Sequence, residues 1–499
     1  MRNEYQLYPD YNAELQAIKE GGINEQLLRK IIEKHISNSE YNKSLYKRYM
    51  ALDKEVPIFN RQPRFKMEEV DGKQPKQINN RINNDFFGEI IDFKVGYFAG
   101  KPIAYSYSDT EESEEDTGGN EAVEEAKKTL SDFVTRNNMY DVDMEVTKHA
   151  SIYGYAGRLL YHDTEGYERV MAIAGYETII LSSRGITEPE YAVRYYPTED
   201  INGSEYWVVE FYDDKNIYRY EGQISGLKLI ETKPNLYGYC PLQGVPNNNE
   251  LIGDAEKVLA EIDAYDRVVS DSSNQIEGQV HSKEVYENVN ISPEEIAMGN
   301  YTGALKFYSG AAGGRIYKLE SNINDGFVEH HLARLEKNIY RFSKTPNLND
   351  EAFGNASGVA LKFKLTSLET KCGMFQAKMM SAGVYMFKLL AHAWGVRGTT
   401  VDPLQCVMDF KRNFPLDIES EARAAQALIG AGLPKEIAYA IAISSIDDID
   451  YVMALIEEEQ NSIPSLMDNF AEDEEEEEEE PPNPFIKEEE EDEEEDTEE

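Results

Sequence analysis

Residues 345–372 read TPNLNDEAFGNASGVALKFKLTSLETKC, and the character of the chain changes in the middle of them. Up to Ser357 the residues are small or polar: Asn347, Asn349, Asp350, Glu351, Asn355 and Ser357, with Leu348 and Phe353 as the large apolar packing points. Gly354 and Gly358 supply backbone freedom there. Ser357 suits a helix N-cap, because its hydroxyl can accept from an amide that the first turn leaves free. Beyond it, Leu361, Leu365, Leu368, Cys372, Phe375, Met379, Met386 and Leu390 recur on one face and predict a long helix running toward Trp394. Its methionines read as core filler, since an unbranched thioether fits irregular interiors.

On the N-terminal side of this loop, Asp325 to Thr345 predicts a second helix. Val328, Leu332, Leu335, Ile339 and Phe342 step by four and three residues, the spacing of a helix laid lengthwise on a partner. Opposite them stand Arg334, Lys337, Arg341 and Lys344 at the same spacing. Two readings are open. These cations solvate a face or pair with Glu256, Glu261, Asp263 and Asp266, or they form a ladder of phosphate contacts facing a channel. Leu251 to Gln275 predicts the partner helix, with Ala255, Val258, Leu259, Ile262, Tyr265, Val269 and Ser272 on one stripe and its start near Gly253 and Asp254. Between the two helices lies mixed strand and turn, including GALKFYSGAAGGRIYKLE.

Further out, the first ~75 residues read as polar helix, with Leu27, Ile31 and Ile32 on one face. Ile82, Phe86, Ile90, Phe93 and Tyr97 predict another helix, ended by Gly100 and Pro102 before a strand, PIAYSY. The acidic stretch from Asp109 to Asn120 reads as an exposed loop, followed by a helix over Glu121 to Asn137. From Asp143 to Pro246 the signal is β: GRLLYHD, RVMAIAG, ETIILSS, EYAVRYYP, EYWVVEFYDD and NIYRYEG are short runs rich in Tyr, Val and Ile, set between turn residues, and predict one meandering antiparallel sheet. After the long helix, NFPLDIESEARAAQALIGAGLPKEIAYAI predicts two helices around a turn at Gly430, Gly432 and Pro434. The class is α+β.

Composition narrows the function. Acids outnumber bases 94 to 50 in 499 residues, a net charge of −44. From Glu472 to Glu499 there are 20 carboxylates and one lysine, Lys487, a low-complexity tail too polar to bury a core. The rest stays strongly anionic, which disfavours a broad face gripping DNA phosphates. Cys240, Cys372 and Cys406 form no CxxC pair and no disulfide framework, which points to a reducing compartment. The first residues are charged throughout, so no export signal is expected, and the most apolar helical run, Gly383 to Trp394, is broken by Lys388 and His392 and is too short to span a bilayer.

Motifs for catalysis are missing. GNASGVA spaces as G-x-x-S-G and lacks a preceding strand, so it is no nucleophile elbow. SGAAGGRIYK lacks the Gly-Lys-Ser/Thr ending of a phosphate-cradling loop. His330 and His331 are adjacent and diverge on a helix, and DVDMEVTKH, from Asp141, lacks the glycine and final glutamate of a calcium loop. No enzyme activity, cofactor or metal is expected.

The order of parts resembles a known family. NNRINNDFFGEIIDFKVGYFAGKPI, the sheet from EYAVRYY to NIYRYEG, GVPNNNELIGDAEKVLAEIDAYDRVVSDSSNQIE and NASGVALKFKLTSLETKC together look like the portal protein of tailed double-stranded DNA bacteriophages, in the siphophage-type branch. The resemblance covers Gln77 to Glu459. It implies a homo-oligomeric ring of roughly twelve copies around a DNA channel. It also implies a place at the capsid vertex of a virion assembled in the host cytoplasm, with the large terminase subunit, the head-tail adaptor, and the major capsid and scaffolding proteins as partners.

In this sequence the resemblance implies an α+β wing at 77–250, stem helices at 251–275 and 325–345, a small α/β clip at 276–324, a channel-facing tunnel loop at 346–357, and a long helix with a helical crown at 358–460. Residues 1–76 form a helical region peripheral to the wing, and 461–499 a disordered acidic tail. The competing reading is an acidic helical assembly scaffold without a DNA channel. The predicted sheet argues against it, because a coiled-coil scaffold has no use for one.

Overall fold

The computed structural model describes residues 7–52, 54–63, 78–108, 117–280, 284–288, 305–307, 313–318, 325–348, 358–413, 418–443, 452–453 and 455–456. The chain divides into two compact units, Met1–Phe414 and Pro415–Glu499.

The first unit begins with α1 (Asn12–Gly21) and α2 (Glu25–Tyr49). The Asn24 side chain caps α2 by accepting from the Leu27 amide at 2.9 Å. Leu15, Ile18, Leu28, Ile31 and Ile32 bury one face of this pair on a five-stranded antiparallel meander. Its strands are β4 (Thr178–Leu181), β5 (Tyr191–Glu199), β6 (Glu205–Tyr212), β7 (Asn216–Gly222) and β8 (Lys228–Pro234). His35 crosses from α2 to the sheets, with its ring nitrogens on the hydroxyls of Tyr195 and Tyr155; burial lowers its pKa to about 3, so it is neutral.

The β region departs from the single predicted meander in two ways. Asp143 to Tyr153 is helical, within α5 (Met139–Tyr153), because Met139, Val142, Val146 and Ala150 repeat at three and four residues and all face the core. The strands also make two sheets. β2 (Tyr155–His162) sits between β3 (Glu168–Ile173) and β9 (Leu242–Pro246) in a separate antiparallel layer. β9 leaves its sequence neighbours and returns to β2, where Gly157 pairs with Gly244. The PIAYSY strand, β1 (Ala104–Tyr107), pairs antiparallel with β13 (Cys406–Asp409), some three hundred residues away.

α3 (Phe86–Ala99) is capped by Asp85 and closed at Gly100, as the pattern predicts, although Ile82 precedes the helix. α4 (Thr117–Arg136) starts four residues before the predicted Glu121, so Thr117 to Asn120 are helical; Asp109 to Asp116 lie outside the described residues. α6 (Leu259–Val280) follows a 3-10 turn at Glu256–Val258 and runs past the predicted end at Gln275. It packs on α7 (Asp325–Ser343). Between them a mixed three-stranded sheet has β10 (Glu284–Glu287) in the middle, parallel to β11 (Leu305–Phe307) and antiparallel to β12 (Arg315–Lys318).

α8 (Gly358–Arg397) is the long helix, and its buried Leu365, Leu368, Cys372, Phe375, Met379, Met386, Leu390 and Trp394 form the spine of the largest core. Leu361 and Ser357 lie outside the residues whose side chains are described. In the second unit, α9 (Ile418–Gly430) and α10 (Lys435–Ala442) pack on each other around a turn at Gly432, φ +95°. Among the described residues no helix is long and apolar enough to cross a membrane.

Candidate nucleic-acid interface

Five acids on or just before α6 have partners: Glu256, Asp263, Asp266, Asp271 and Glu277. Tyr41 donates to Glu256 at 2.9 Å, Arg48 pairs with Asp263, and the amide and side chain of Asn84 both donate to Asp266 at 2.9 Å. Further along, Ile82 N donates to Ser270, Arg61 pairs with Asp271, and Asn80 reaches Asn274 and Glu277. All these partners come from Tyr41, Arg48, Arg61, Asn80, Ile82 and Asn84, which meet the helix one after another along its length. These five carboxylates are engaged on that side of the helix; Glu261 is not among them.

That removes pairing with Glu256, Asp263 and Asp266 from the readings of the cations on α7 and leaves two, a solvated face and a channel-facing row. Glu256, Asp263 and Asp266 do not meet Arg334, Lys337, Arg341 or Lys344. All four cations are exposed and make no ion pair among the described residues. Ile339 and Tyr340 bury the opposite side, where Tyr340 donates to Glu89 of α3 at 2.9 Å. Phe342, expected on the buried seam, is 48% exposed; at the end of α7 the buried residues are Tyr340 and Ser343.

The loop after α7 leaves through a specific turn. Lys344 adopts φ +59°, the Thr345 amide donates to Tyr340 O at 3.1 Å, and Asn347 turns back to Glu336 at 2.8 Å. Leu348 is exposed. Asn349, Asp350, Glu351, Phe353, Gly354, Asn355 and Ser357 lie outside the described residues.

Behind this turn is a buried charge cluster that pattern reading missed. Two glycines create it by letting the chain cross itself closely. A Cβ on Gly154 (φ +91°) would sit 2.1 Å from the Leu251 carbonyl, and one on Gly253 would sit 2.3 Å from the Ile152 carbonyl. The crossing hydrogen-bonds Asp254 N to Ser151 O at 2.8 Å and points the carboxylate inward. Lys94 of α3 lies 2.8 Å from Asp254 and donates to Asn247 at 2.5 Å, with its ammonium 4.4 Å from the centre of the Phe375 ring. Lys371 of α8 lies 3.5 Å from the other carboxylate oxygen and donates to the Ser343 carbonyl at 2.9 Å. Burial alone would raise the Asp254 pKa; Lys371, Lys94 and the hydrogen bonds from Lys94 and Asn247 outweigh it and hold it at about 2. Burial in turn lowers the Lys371 pKa, against the pull of Asp254. The cluster opens on a cleft of about 410 Å³ edged by Lys257, Lys344, Met374 and Lys378. The signal available in the sequence was Lys94 itself, a lone cation amid the apolar run IIDFKVGYF.

Among the described residues no three His, Cys, Asp or Glu side chains converge on a metal-sized site. All three cysteines are buried and unpaired, and burial pushes the Cys372 and Cys406 thiols up to about 11 and about 12, away from the reactive thiolate.

Residues 28–465 match the family described as phage portal protein, SPP1 Gp6-like. The portal protein of Clostridium phage phiCD119 is 27% identical over 347 residues, covering 64% of this chain and 73% of that protein. The portal protein of Bacillus phage SPP1 is 24% identical over 426 residues, covering 79% of each. Among solved structures, a chain from the neck of an empty GTA particle computed with C6 symmetry superposes with a TM-score of 0.42 at 10% identity, over 72% of this chain and 90% of that one. With the family match running over residues 28–465, through every described strand, both paired helices and the long helix, the chain belongs to the SPP1 Gp6-like phage portal proteins.

Proposed function

We propose that copies of this chain close into a ring at one capsid vertex and form the channel through which the genome is packaged and ejected. In this reading residues 77–250 form the wing, α6 and α7 the stem, 276–324 the clip and 346–357 the tunnel loop, and 358–460 the long helix and crown. The terminase motor, and later the head-tail adaptor, dock on the clip; capsid and scaffolding proteins surround the wing. The ring is a structural part of the virion and carries no reaction.

The observation that supports the reading best is the free basic row of α7. Arg334, Lys337, Arg341 and Lys344 are exposed and unpaired among the described residues, while Tyr41, Arg48 and Asn84 occupy Glu256, Asp263 and Asp266. A channel must guide the duplex without trapping it. Each phosphate neutralised by a fixed cation releases counterions and deepens binding. A single row of hydrated cations in a chain of net charge −44 meets both needs.

Negative-stain electron microscopy of the purified protein tests the ring: closed annuli with an axial hole are expected, and a strictly monomeric compact particle overturns the proposal. The row is tested separately. The triple variant Arg334→Glu, Lys337→Glu, Arg341→Glu is expected to form normal rings and to lower the yield of DNA-filled particles. If filling is unchanged, the cations do not line the channel.

A further inference from the structure

Four parts of the chain, distant in sequence, meet in one buried cluster. Asp254 leads into α6, Lys94 comes from α3, Lys371 from α8, and Ser343 presents the last carbonyl of α7. The two lysines are not equivalent. Lys94 has all its partners in the body of the molecule: Asp254, Asn247 and the Phe375 face. Lys371 sits farther from Asp254, and its shortest bond is to the carbonyl of α7.

Charge makes the distinction sharper. One carboxylate and two ammoniums leave an excess positive charge in a buried place, which is unfavourable unless something else compensates it. Lys94 with Asp254 is already neutral. What Lys371 adds is a cation at the C-terminal end of α7, where unsatisfied carbonyls and the helix dipole present partial negative charge. Its placement is therefore explained by α7 and not by a need to neutralise Asp254. Moving α7 away would strip the excess charge of its carbonyl, so the cluster resists that displacement.

We propose that Lys371 is a positioning residue that fastens the C-terminal end of α7 to the junction of α3 and α6, and thereby sets where the tunnel loop begins. Its meaning for the particle rests on the reading above, that the loop borders the channel; its meaning for the molecule does not.

Hydrogen exchange on the full-length protein tests it with Lys371→Met and Lys371→Gln. In Lys371→Met the amide of Thr345 should exchange roughly tenfold faster, as expected for losing one charged hydrogen bond, while α3 and the five-stranded sheet keep their protection. Lys371→Gln, which keeps a donor for the Ser343 carbonyl, should fall between. Unchanged exchange at Thr345 overturns the proposal, as does faster exchange spread equally through α3 and the sheet, which marks Lys371 as ordinary core. If neither variant folds, the proposal is likewise overturned. DNA retention in particles carrying Lys371→Met separates the two ideas. Leakage with a loosened Thr345 supports both; normal retention with a loosened Thr345 supports the positioning role and removes the loop from the channel wall.

Discussion

Asp254 and Asp143 are both buried beside the long helix α8, and both have a cation close by, yet their carboxyls move in opposite directions. At Asp254 the attraction of Lys371 and Lys94, with direct hydrogen bonds, overcomes burial and holds the pKa at about 2. At Asp143 burial dominates and pushes it up to about 6, although Arg158 is near and Tyr105 donates at 2.6 Å. The reason lies in where Arg158 directs its donors. Its two terminal nitrogens meet the sulfurs of Met386 and Met379, at 3.2 and 3.1 Å. Arg158 Nε, Asp143 Oδ1 and both polar atoms of the facing Gln243 find no partner among the described residues. Burial is offset by hydrogen bonds made directly to the charged group, and proximity of opposite charge is a weaker substitute.

The contrast breaks first on Asp254→Asn. With the only anion removed, Lys94 and Lys371 face each other in a buried site, and unfolding by denaturant should show a loss of about 3–5 kcal/mol. A loss below about 1 kcal/mol would mean that the cluster is wetter than its geometry indicates.

Asp143→Asn should behave in the opposite way. A carboxyl whose folded pKa lies above its unfolded value of 3.8 costs stability as it ionises, so the penalty grows as pH rises from about 4 through about 6 and is complete at pH 7. The asparagine variant should therefore match or exceed the parent at pH 7, by on the order of 1–3 kcal/mol, and lose that advantage by pH 4. Parallel stability curves for the two proteins from pH 7 to pH 4.5 would remove the contrast. Asp254 carries the reverse sign: its contribution is complete above the unfolded pKa and is lost only as pH falls from about 4 to about 2.

Smaller effects sharpen the picture. Lys371→Met leaves the neutral pair of Lys94 with Asp254 intact, so its global cost should be about 1–2 kcal/mol, well below that of Asp254→Asn. Arg334→Glu or Lys337→Glu, on the exposed face of α7, should change stability by less than about 0.5 kcal/mol by thermal unfolding. A larger loss in either would reveal a partner on that face.

Elements with a strong local period were legible without coordinates. The buried set on α8 follows its helical spacing, and the strands from Tyr155 to Gly222 lie where turn residues divide the β-rich runs. The errors have local causes too. Residues 143–153 sit beside β-rich sequence and were absorbed into it, although their apolar spacing is helical. Phe342 fits a four-three seam, but α7 ends by burying Tyr340 and Ser343 against other elements. The basic row was visible as a pattern; whether its cations were already paired was not, because that depended on Tyr41, Arg48 and Asn84, far away in sequence, taking the neighbouring acids.

By itself the sequence determined most of the elements and their order, α5 excepted, and the two long helices on either side of the polar loop, since apolar period and turn chemistry act over a few residues. The tertiary structure alone decided that β1 pairs with β13, that the β-rich region splits into two sheets, and that Lys94, Asp254 and Lys371 share one buried site. Those outcomes depend on distances through space and on exclusion of water, and residues some 90 to 300 positions apart leave no local trace of either.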